Sequence, residues 1–217
     1  MTTGSKRLAP GIETLIELIP HFLARFGVST ERINKTNTLK WLIKQDLLDF
    51  GSDKAGTLTK CLRDLGNNKV DSIYFPESTL VNPNSEHKSW TEIPNKSKRI
   101  ITSLLIGNYD KPIPTEAKYQ LSQKQLEQLM QNILRILKPG GFAVMDQKAF
   151  GKYPQGYDRD YLNQVTQTMI NMGISMSLIS TNSDTSFYVF YQQDDSPLKI
   201  AKQIADEIKV TGQLTMA

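Results

Sequence analysis

The segment that most restricts how this chain can fold is residues 47–77. It begins with an apolar run and an acid, Asp49, followed by Gly51, and it continues as an amphipathic helix, a second apolar run and Glu77. This order predicts a strand–helix–strand unit in which the first strand ends beside the start of a helix. Glycine lets the backbone approach a ligand closely, and a helix N-terminus carries partial positive charge. The segment therefore predicts a site for a nucleotide-like ligand.

Strand-like and helical patterns continue to alternate along the chain. Residues 99–106 are apolar and β-branched, as buried strands are, and residues 142–145 follow a helix whose end is marked by the run PGG. We also expect a short strand near residues 89–93. The last two predicted strands, residues 174–180 and 187–191, are separated by a polar turn and can pair in the antiparallel direction. This alternation predicts a mostly parallel sheet with helices on both faces.

Helices are predicted on both sides of this unit. Apolar residues three and four apart mark a helix over residues 12–26, in which Pro20 implies a kink or a break, and a second helix covers residues 38–45. These helices could form a lid over a ligand or a packing layer on the sheet, and we favour the packing layer. We divide the chain into an N-terminal helical extension (1–37), an α/β domain (38–193) and a C-terminal helical tail (194–217).

Composition sets limits on partners and on metal chemistry. A chain of 217 residues can bury a sizeable core, and its net charge of +4 comes from scattered residues rather than from the dense basic field of a dedicated nucleic-acid binder. The single cysteine, Cys61, excludes an internal disulfide, and the two histidines, His21 and His87, do not suggest a metal pair. No apolar run is long enough to span a bilayer and no secretory signal is evident, so we expect a cytoplasmic protein.

Four segments in order resemble class I methyltransferases that use S-adenosylmethionine. They are the strand, acid and glycine of LLDFG at residues 47–51, the second strand that precedes Glu77, the strand and loop ITSLLIGNYD at 101–110, and LKPGG at 137–141. The likeness covers roughly residues 40–192. It implies a three-layer Rossmann-like α/β fold with a mostly parallel seven-stranded sheet, one antiparallel strand and extra N-terminal helices. It departs from the family pattern where the middle glycine of the loop is missing, since Ser52, Asp53, Lys54 and Ala55 precede Gly56.

The resemblance implies S-adenosylmethionine as cofactor and assigns residues to its binding. The motif acid and glycine loop supply the first group, Glu77 would accept hydrogen bonds from the ribose hydroxyls, and the third segment would face both methyl donor and acceptor. The implied cofactor-binding residues are Asp49, Gly51, Ser52, Asp53, Gly56, Glu77, Ser103 and Leu104.

Methyl transfer to a hydroxyl benefits from a base, whereas a neutral nitrogen needs little more than positioning. The candidate catalytic residues are Tyr109, Asp110 and Lys148, with Asp146 as a further candidate base. The resemblance leaves the acceptor open between a small molecule and a protein side chain. An RNA 2′-hydroxyl methyltransferase would need a Lys-Asp-Lys-Glu set; Lys40 or Lys44 could supply its first member, but no glutamate supplies its last, so RNA is disfavoured as acceptor.

Two other classes of function remain open. The missing middle glycine and the position of Glu77 beyond Pro76 favour a methyltransferase fold that no longer turns over and serves as a binding or regulatory module. A Rossmann-type oxidoreductase is disfavoured because the chain lacks the dinucleotide-binding fingerprint. The sequence makes no prediction of oligomeric state.

Overall fold

The structure is a computed structural model, and it describes residues 8–50, 56–73, 90–104, 123–146, 152–153, 156–157, 159–181, 186–192 and 195–213. The helices are α1 (Pro10–Arg25), α2 (Lys35–Leu42), α3 (Thr57–Asp64), α4 (Gln123–Ile136), α5 (Arg159–Asn171) and α6 (Pro197–Gln213). The strands are β1 (Leu47–Phe50), β2 (Val70–Ile73), β3 (Lys98–Ser103), β4 (Leu137–Asp146), β5 (Lys152–Tyr153), β6 (Gly156–Tyr157), β7 (Ile174–Ser180) and β8 (Ser186–Gln192).

Six strands form one sheet in the order β2-β1-β3-β4-β8-β7, and β5 pairs with β6 as a separate short hairpin. β1 is parallel to β2 and β3, and β3 is parallel to β4, whereas β8 is antiparallel to both of its neighbours, β4 and β7. The predicted mostly parallel sheet with an antiparallel strand near one edge is therefore confirmed. Seven strands were expected, and the sheet that the described residues form has six.

Two apolar clusters cover the two faces of the sheet. One joins β-strand side chains to α1, α2, α3 and α6, and the other joins the opposite face to α4 and α5. β1 contributes to both, because Leu47 belongs to the first cluster and Leu48 to the second, as alternating side chains on a strand require. The chain thus forms three layers, with the helices α1 to α3 and α6 on one side of the sheet.

The first helix is a packing layer, because one stripe of it is almost completely buried. Its side chain Phe22 stacks on Phe142 of β4, with 5.8 Å between the ring centroids. Pro20 lies inside α1 without ending it. The other buried apolar residues of the stripe are Ile12, Leu15, Ile16, Leu18, Ile19 and Leu23. Since these side chains lie against the sheet and the neighbouring helices, α1 does not act as a separate lid.

Three local predictions differ from the structure. The second helix begins at Lys35 rather than near residue 38, because the Asn34 side chain caps it by accepting a hydrogen bond from the Asn37 N–H. A 3₁₀ helix, Trp90–Glu92, replaces the strand expected near residues 89–93. The run PGG does not separate a helix from a strand, since α4 ends at Ile136 and β4 starts with the next residue.

The run PGG instead lies within an irregular stretch of β4. Leu137 pairs with Lys98, and the next pair is Phe142 with Ile100, so β4 bulges between them. Gly140 has a φ of +71° there, a conformation that suits glycine. Gly141 is constrained by space, because a Cβ at this position would lie 2.7 Å from the Arg99 carbonyl oxygen.

We expect Gly141→Ala to lower the free energy of unfolding by about 2 kcal/mol, within the range typical of overpacking. The added methyl group meets backbone atoms, which cannot move aside as a flexible side chain can. Urea unfolding followed by circular dichroism measures the change. Gly11→Ala is the control, because a Cβ at Gly11 would meet the flexible end of the Leu58 side chain, 2.5 Å from its Cδ1, rather than backbone. Equal losses for both variants would show that contact with the backbone at Gly141 is not the cause.

Glu207 connects the last helix, α6, to the sheet through hydrogen bonds and an ion pair. Its carboxylate accepts hydrogen bonds from Trp41 Nε1 at 2.8 Å and from Gln203 Nε2 at 2.9 Å, and it lies 3.5 Å from Arg99 Nη2. Trp41 is 1% exposed, so its indole N–H depends on this partner. Glu207 thereby connects α6 with α2 and β3.

We expect Glu207→Ala to lower the free energy of unfolding by about 2 kcal/mol, because the buried indole N–H loses its acceptor and the Arg99 guanidinium loses the carboxylate 3.5 Å away. Asp206→Ala is the matched control on the same helix; its carboxylate is exposed, so we expect less than about 0.5 kcal/mol. Chemical denaturation of both variants measures the difference, and a Glu207 variant as stable as the parent protein would contradict this role.

Candidate functional site

The connections of the sheet point to one crevice. The chain leaves β1 for β2 on one side and later adds β3 on the other side of β1, so the strand order reverses between β1 and β3. The helix that follows β1 (α3) and the helix that follows β3 (α4) pack on opposite faces of the sheet, since they belong to different apolar clusters. Open α/β sheets bind ligands outside the carboxyl ends of the strands at such a reversal. The relevant ends are Phe50 of β1 and Ser103 of β3.

A row of polar side chains crosses three strands at this end of the sheet. Asp49 is the register partner of both Ser72 in β2 and Thr102 in β3. Each residue lies two positions after an apolar residue of the α3-side cluster, so the three side chains share that face. They are 5%, 3% and 0% exposed, respectively. A buried carboxylate is costly in an otherwise apolar sheet, and its place beside the strand reversal indicates a functional site.

The helix that follows β1 begins at the same end of the sheet. Only residues 51–55 separate Phe50 from Gly56, which is the N-cap of α3. Gly56 has a left-handed conformation, with φ +60° and ψ +38°, and it has no side chain with which to cap the helix. The site thus combines the partial positive charge of a helix N-terminus with the carboxylate of Asp49, so it can bind a ligand that carries both an anionic group and hydrogen-bond donors.

The structure places four of the predicted cofactor-binding residues at this end of the sheet. Asp49 lies in β1, Ser103 ends β3, Leu104 follows it, and Gly56 begins the next helix. Ser103 belongs to the face opposite Asp49, since it lies two residues after Ile101 of the α4-side cluster. The remaining predicted site residues lie outside the described residues: Gly51, Ser52, Asp53, Glu77, Tyr109, Asp110 and Lys148. Nothing is described of the Asp146 side chain.

Sequence reasoning missed Ser72 and Thr102. The signal that could have identified them is a polar residue near the carboxyl end of an otherwise apolar strand: Ser72 in VDSI (β2) and Thr102 in KRIITS (β3). Thr102 is fully buried, and its Oγ1 lies 3.5 Å from the Leu48 carbonyl oxygen. Their alignment with Asp49 depends on the strand register, which cannot be read from the sequence.

The two lysines considered for an RNA-directed site, Lys40 and Lys44, lie toward the amino end of β1, away from the candidate site. Lys44 precedes β1 by a short turn, and the neighbouring Gln45 carbonyl accepts a hydrogen bond from Asn67 Nδ2, just before β2. This region is the amino end of both strands. Lys40 lies in the last turn of α2, which leads into the same turn. Lys44 is therefore separated from the carboxyl-end site by the length of β1.

Within the described ranges, no group of three or more histidine, cysteine, aspartate or glutamate side chains is arranged to hold a metal ion. The helices in the same ranges are too short or too polar for any of them to cross a bilayer.

Solved structures with a similar course of the chain include enzymes of several kinds. Human methyltransferase-like protein 13, solved in complex with SAH, is 12% identical, with a TM-score of 0.49 over 94% of this chain and 93% of its own. A SAM-dependent methyltransferase from Aquifex aeolicus is 16% identical, with a TM-score of 0.39 over 85% of this chain and 98% of its own. Spermidine synthase from Thermotoga maritima is 15% identical, with a TM-score of 0.41 over 85% of this chain and 62% of its own.

These TM-scores are all below 0.5, so the similarities do not assign a family or an activity to this chain. No protein-family model matches the sequence, and no curated protein matches it either. A function for this chain therefore has to be inferred from its own site.

Proposed function

We propose that this protein is an S-adenosylmethionine-dependent methyltransferase that acts on a small molecule or a protein side chain. The observation that carries the proposal is the buried Asp49 in β1, beside the strand reversal and close in sequence to the N-terminus of α3. The sequence pattern LLDFG, which resembles the first motif of class I methyltransferases, coincides with this structural position.

The chemical groups of the site suit this cofactor. Its hydroxyl and ammonium groups are donors for a carboxylate such as Asp49, and its own carboxylate suits backbone N–H groups at the start of α3. When bound, S-adenosylmethionine supplies a methyl group already activated by its sulfonium. What remains for the protein is to hold donor and acceptor in line and to exclude water.

A hydroxyl acceptor would further need a base, for which we propose Asp110, Tyr109 or Lys148, whereas a neutral nitrogen acceptor would not. These residues follow β3 and β4 in the sequence, and the carboxyl ends of parallel strands meet at one edge of a sheet. The proposed bases would thus approach the acceptor from the same edge as Asp49.

Isothermal titration calorimetry with S-adenosylmethionine and its demethylated product tests cofactor binding. Micromolar affinity for both supports the methyltransferase. No heat at millimolar ligand would instead support the second candidate, a binding or regulatory module, which the missing glycine among residues 52–55 and the displaced Glu77 favour. Once binding is established, transfer of a labelled methyl group to amine, hydroxyl and protein acceptors distinguishes the substrate classes.

A further inference from the structure

Exposed lysines lie near one another at the amino ends of β1, β2 and β3, the edge of the sheet opposite Asp49. Lys44, Lys69 and Lys96 each lie in the turn that precedes a strand, β1, β2 and β3 respectively, and all three are exposed. These strands are adjacent in the sheet, and neighbouring strands lie about 4.8 Å apart, so the three turns are neighbours. We call Lys44, Lys69 and Lys96 the lysine row. In the sequence they are scattered; the sheet brings them together.

The backbone of each lysine is held in place. The N–H of Lys44 donates to the Trp41 carbonyl oxygen at 3.1 Å, and that of Lys96 donates to the Arg135 carbonyl oxygen at 2.8 Å. The N–H of Lys69 donates to Asn67 Oδ1 at 2.8 Å. Lys96 also has a positive φ of +48°. The lysine row is therefore a fixed arrangement of attachment points, from which flexible side chains reach into solvent.

Three of the acids near this edge are paired with other cations. Asp71 pairs with Lys98 at 2.6 Å, Asp46 pairs with Lys138, and Glu207 lies 3.5 Å from Arg99. Three further acids lie nearby: Asp64 at the end of α3, Glu92 in the 3₁₀ helix before β3, and Asp195, whose Oδ2 accepts a hydrogen bond from the Gly140 N–H. No described carboxylate forms an ion pair with a member of the lysine row. Two arginines also lie here, since Arg63 donates to the Val70 carbonyl oxygen and Arg135 to the Ile93 carbonyl oxygen. Among the described residues of this region, the eight cations (Lys44, Lys69, Lys96, Lys98, Lys138, Arg63, Arg99 and Arg135) therefore outnumber the six carboxylates.

This chemistry suits a phosphate backbone better than a protein surface. Lysine is a compact point charge that binds phosphate with few geometric demands, and nucleic-acid backbones bind largely by charge. Protein interfaces need apolar or aromatic anchors, and the large exposed apolar side chains of the described residues lie on α5, β7 and α6, outside the three turns. We propose that the lysine row binds the phosphodiester backbone of a nucleic-acid duplex without reading its sequence.

The test compares two triple variants with the same change in net charge. The first is Lys44→Gln/Lys69→Gln/Lys96→Gln. The control, Lys35→Gln/Lys60→Gln/Lys124→Gln, removes three exposed lysines from the starts or outer faces of helices. Fluorescence anisotropy with labelled RNA and DNA duplexes of about 20 base pairs, at 50 to 200 mM salt, measures affinity and its salt dependence. Thermal unfolding confirms that both variants are folded.

We expect the parent protein to bind a duplex with a Kd of about 1–100 μM at physiological salt, as sequence-independent binding does. The lysine-row variant should bind at least tenfold more weakly, and its salt slope should decrease by about 2.7, which corresponds to three phosphate contacts. The control variant should lose less than threefold. Preference for RNA or for DNA identifies the source of the backbone.

Several outcomes would overturn the proposal. Equal losses in the two triple variants would show attraction to net charge alone. Absence of duplex binding at 1 mM protein, or equal affinity for a poly-glutamate peptide of matched charge, would exclude a phosphate-backbone site. Because the lysine row lies opposite Asp49, none of these results depends on whether the protein binds S-adenosylmethionine.

Discussion

Asp49→Asn is expected to weaken binding of S-adenosylmethionine and its demethylated product about tenfold to a hundredfold, the range expected when a hydrogen bond to a charged group is lost. The substitution keeps the shape of the side chain and removes its charge. In the proposed site this carboxylate is the charged acceptor at the carboxyl end of β1. Calorimetric titration of the variant with both ligands gives the change in Kd directly.

Asp46→Asn is the matched control for this measurement. Asp46 precedes the same strand at its amino end, where its carboxylate pairs with Lys138 and is 30% exposed. The same chemical change there should leave both Kd values within twofold of those of the parent protein. If the Asp49 variant binds as well as the parent, or if the two variants lose affinity equally, then the ligand does not bind at the carboxyl end of β1.

The sequence predicted the architecture wherever burial decides the local structure. Residues 187–191 were expected as a strand, and β8 covers that range with all five residues buried. The strand expected near residues 89–93 was wrong. Ile93 is the only buried residue between 91 and 97, and a single buried side chain does not require an extended backbone. The start of α2 was missed for a different reason, since the Asn34 cap fixes it rather than the apolar pattern.

The candidate site was predictable only in part. Asp49 stands out in the sequence as an acid inside an apolar run, next to a glycine turn. Its neighbours Ser72 and Thr102 do not, because a polar residue in a strand gains meaning only when the register places it beside another. The lysine row illustrates the same limit: three lysines between positions 44 and 96 become neighbours through strand order alone.

The buried ion pair between Lys98 and Asp71 gives the largest expected effect on stability. The Lys98 side chain is 7% exposed, its Nζ lies 2.6 Å from Asp71 Oδ2, and it also donates to the Lys69 carbonyl oxygen at 3.1 Å. The same carbonyl accepts a hydrogen bond from the Leu47 N–H. These contacts connect the amino ends of β2, β1 and β3, the three strands on which the candidate site is built.

Asp71→Ala should therefore lower the free energy of unfolding by about 3–5 kcal/mol, because it leaves the buried ammonium group without its counter-charge.

The double variant Lys98→Met/Asp71→Val should recover most of this loss, since replacing a whole buried ion pair by apolar side chains is often neutral or stabilising. Urea unfolding of the parent, Lys98→Met, Asp71→Val and the double variant yields the coupling energy. If Asp71→Ala costs less than about 1 kcal/mol, solvent reaches the ammonium group and the pair belongs with ordinary surface ion pairs, which contribute about 0–1 kcal/mol. If the loss is large and the double variant does not recover it, the damage comes from packing at the amino ends of the strands rather than from an unpaired charge.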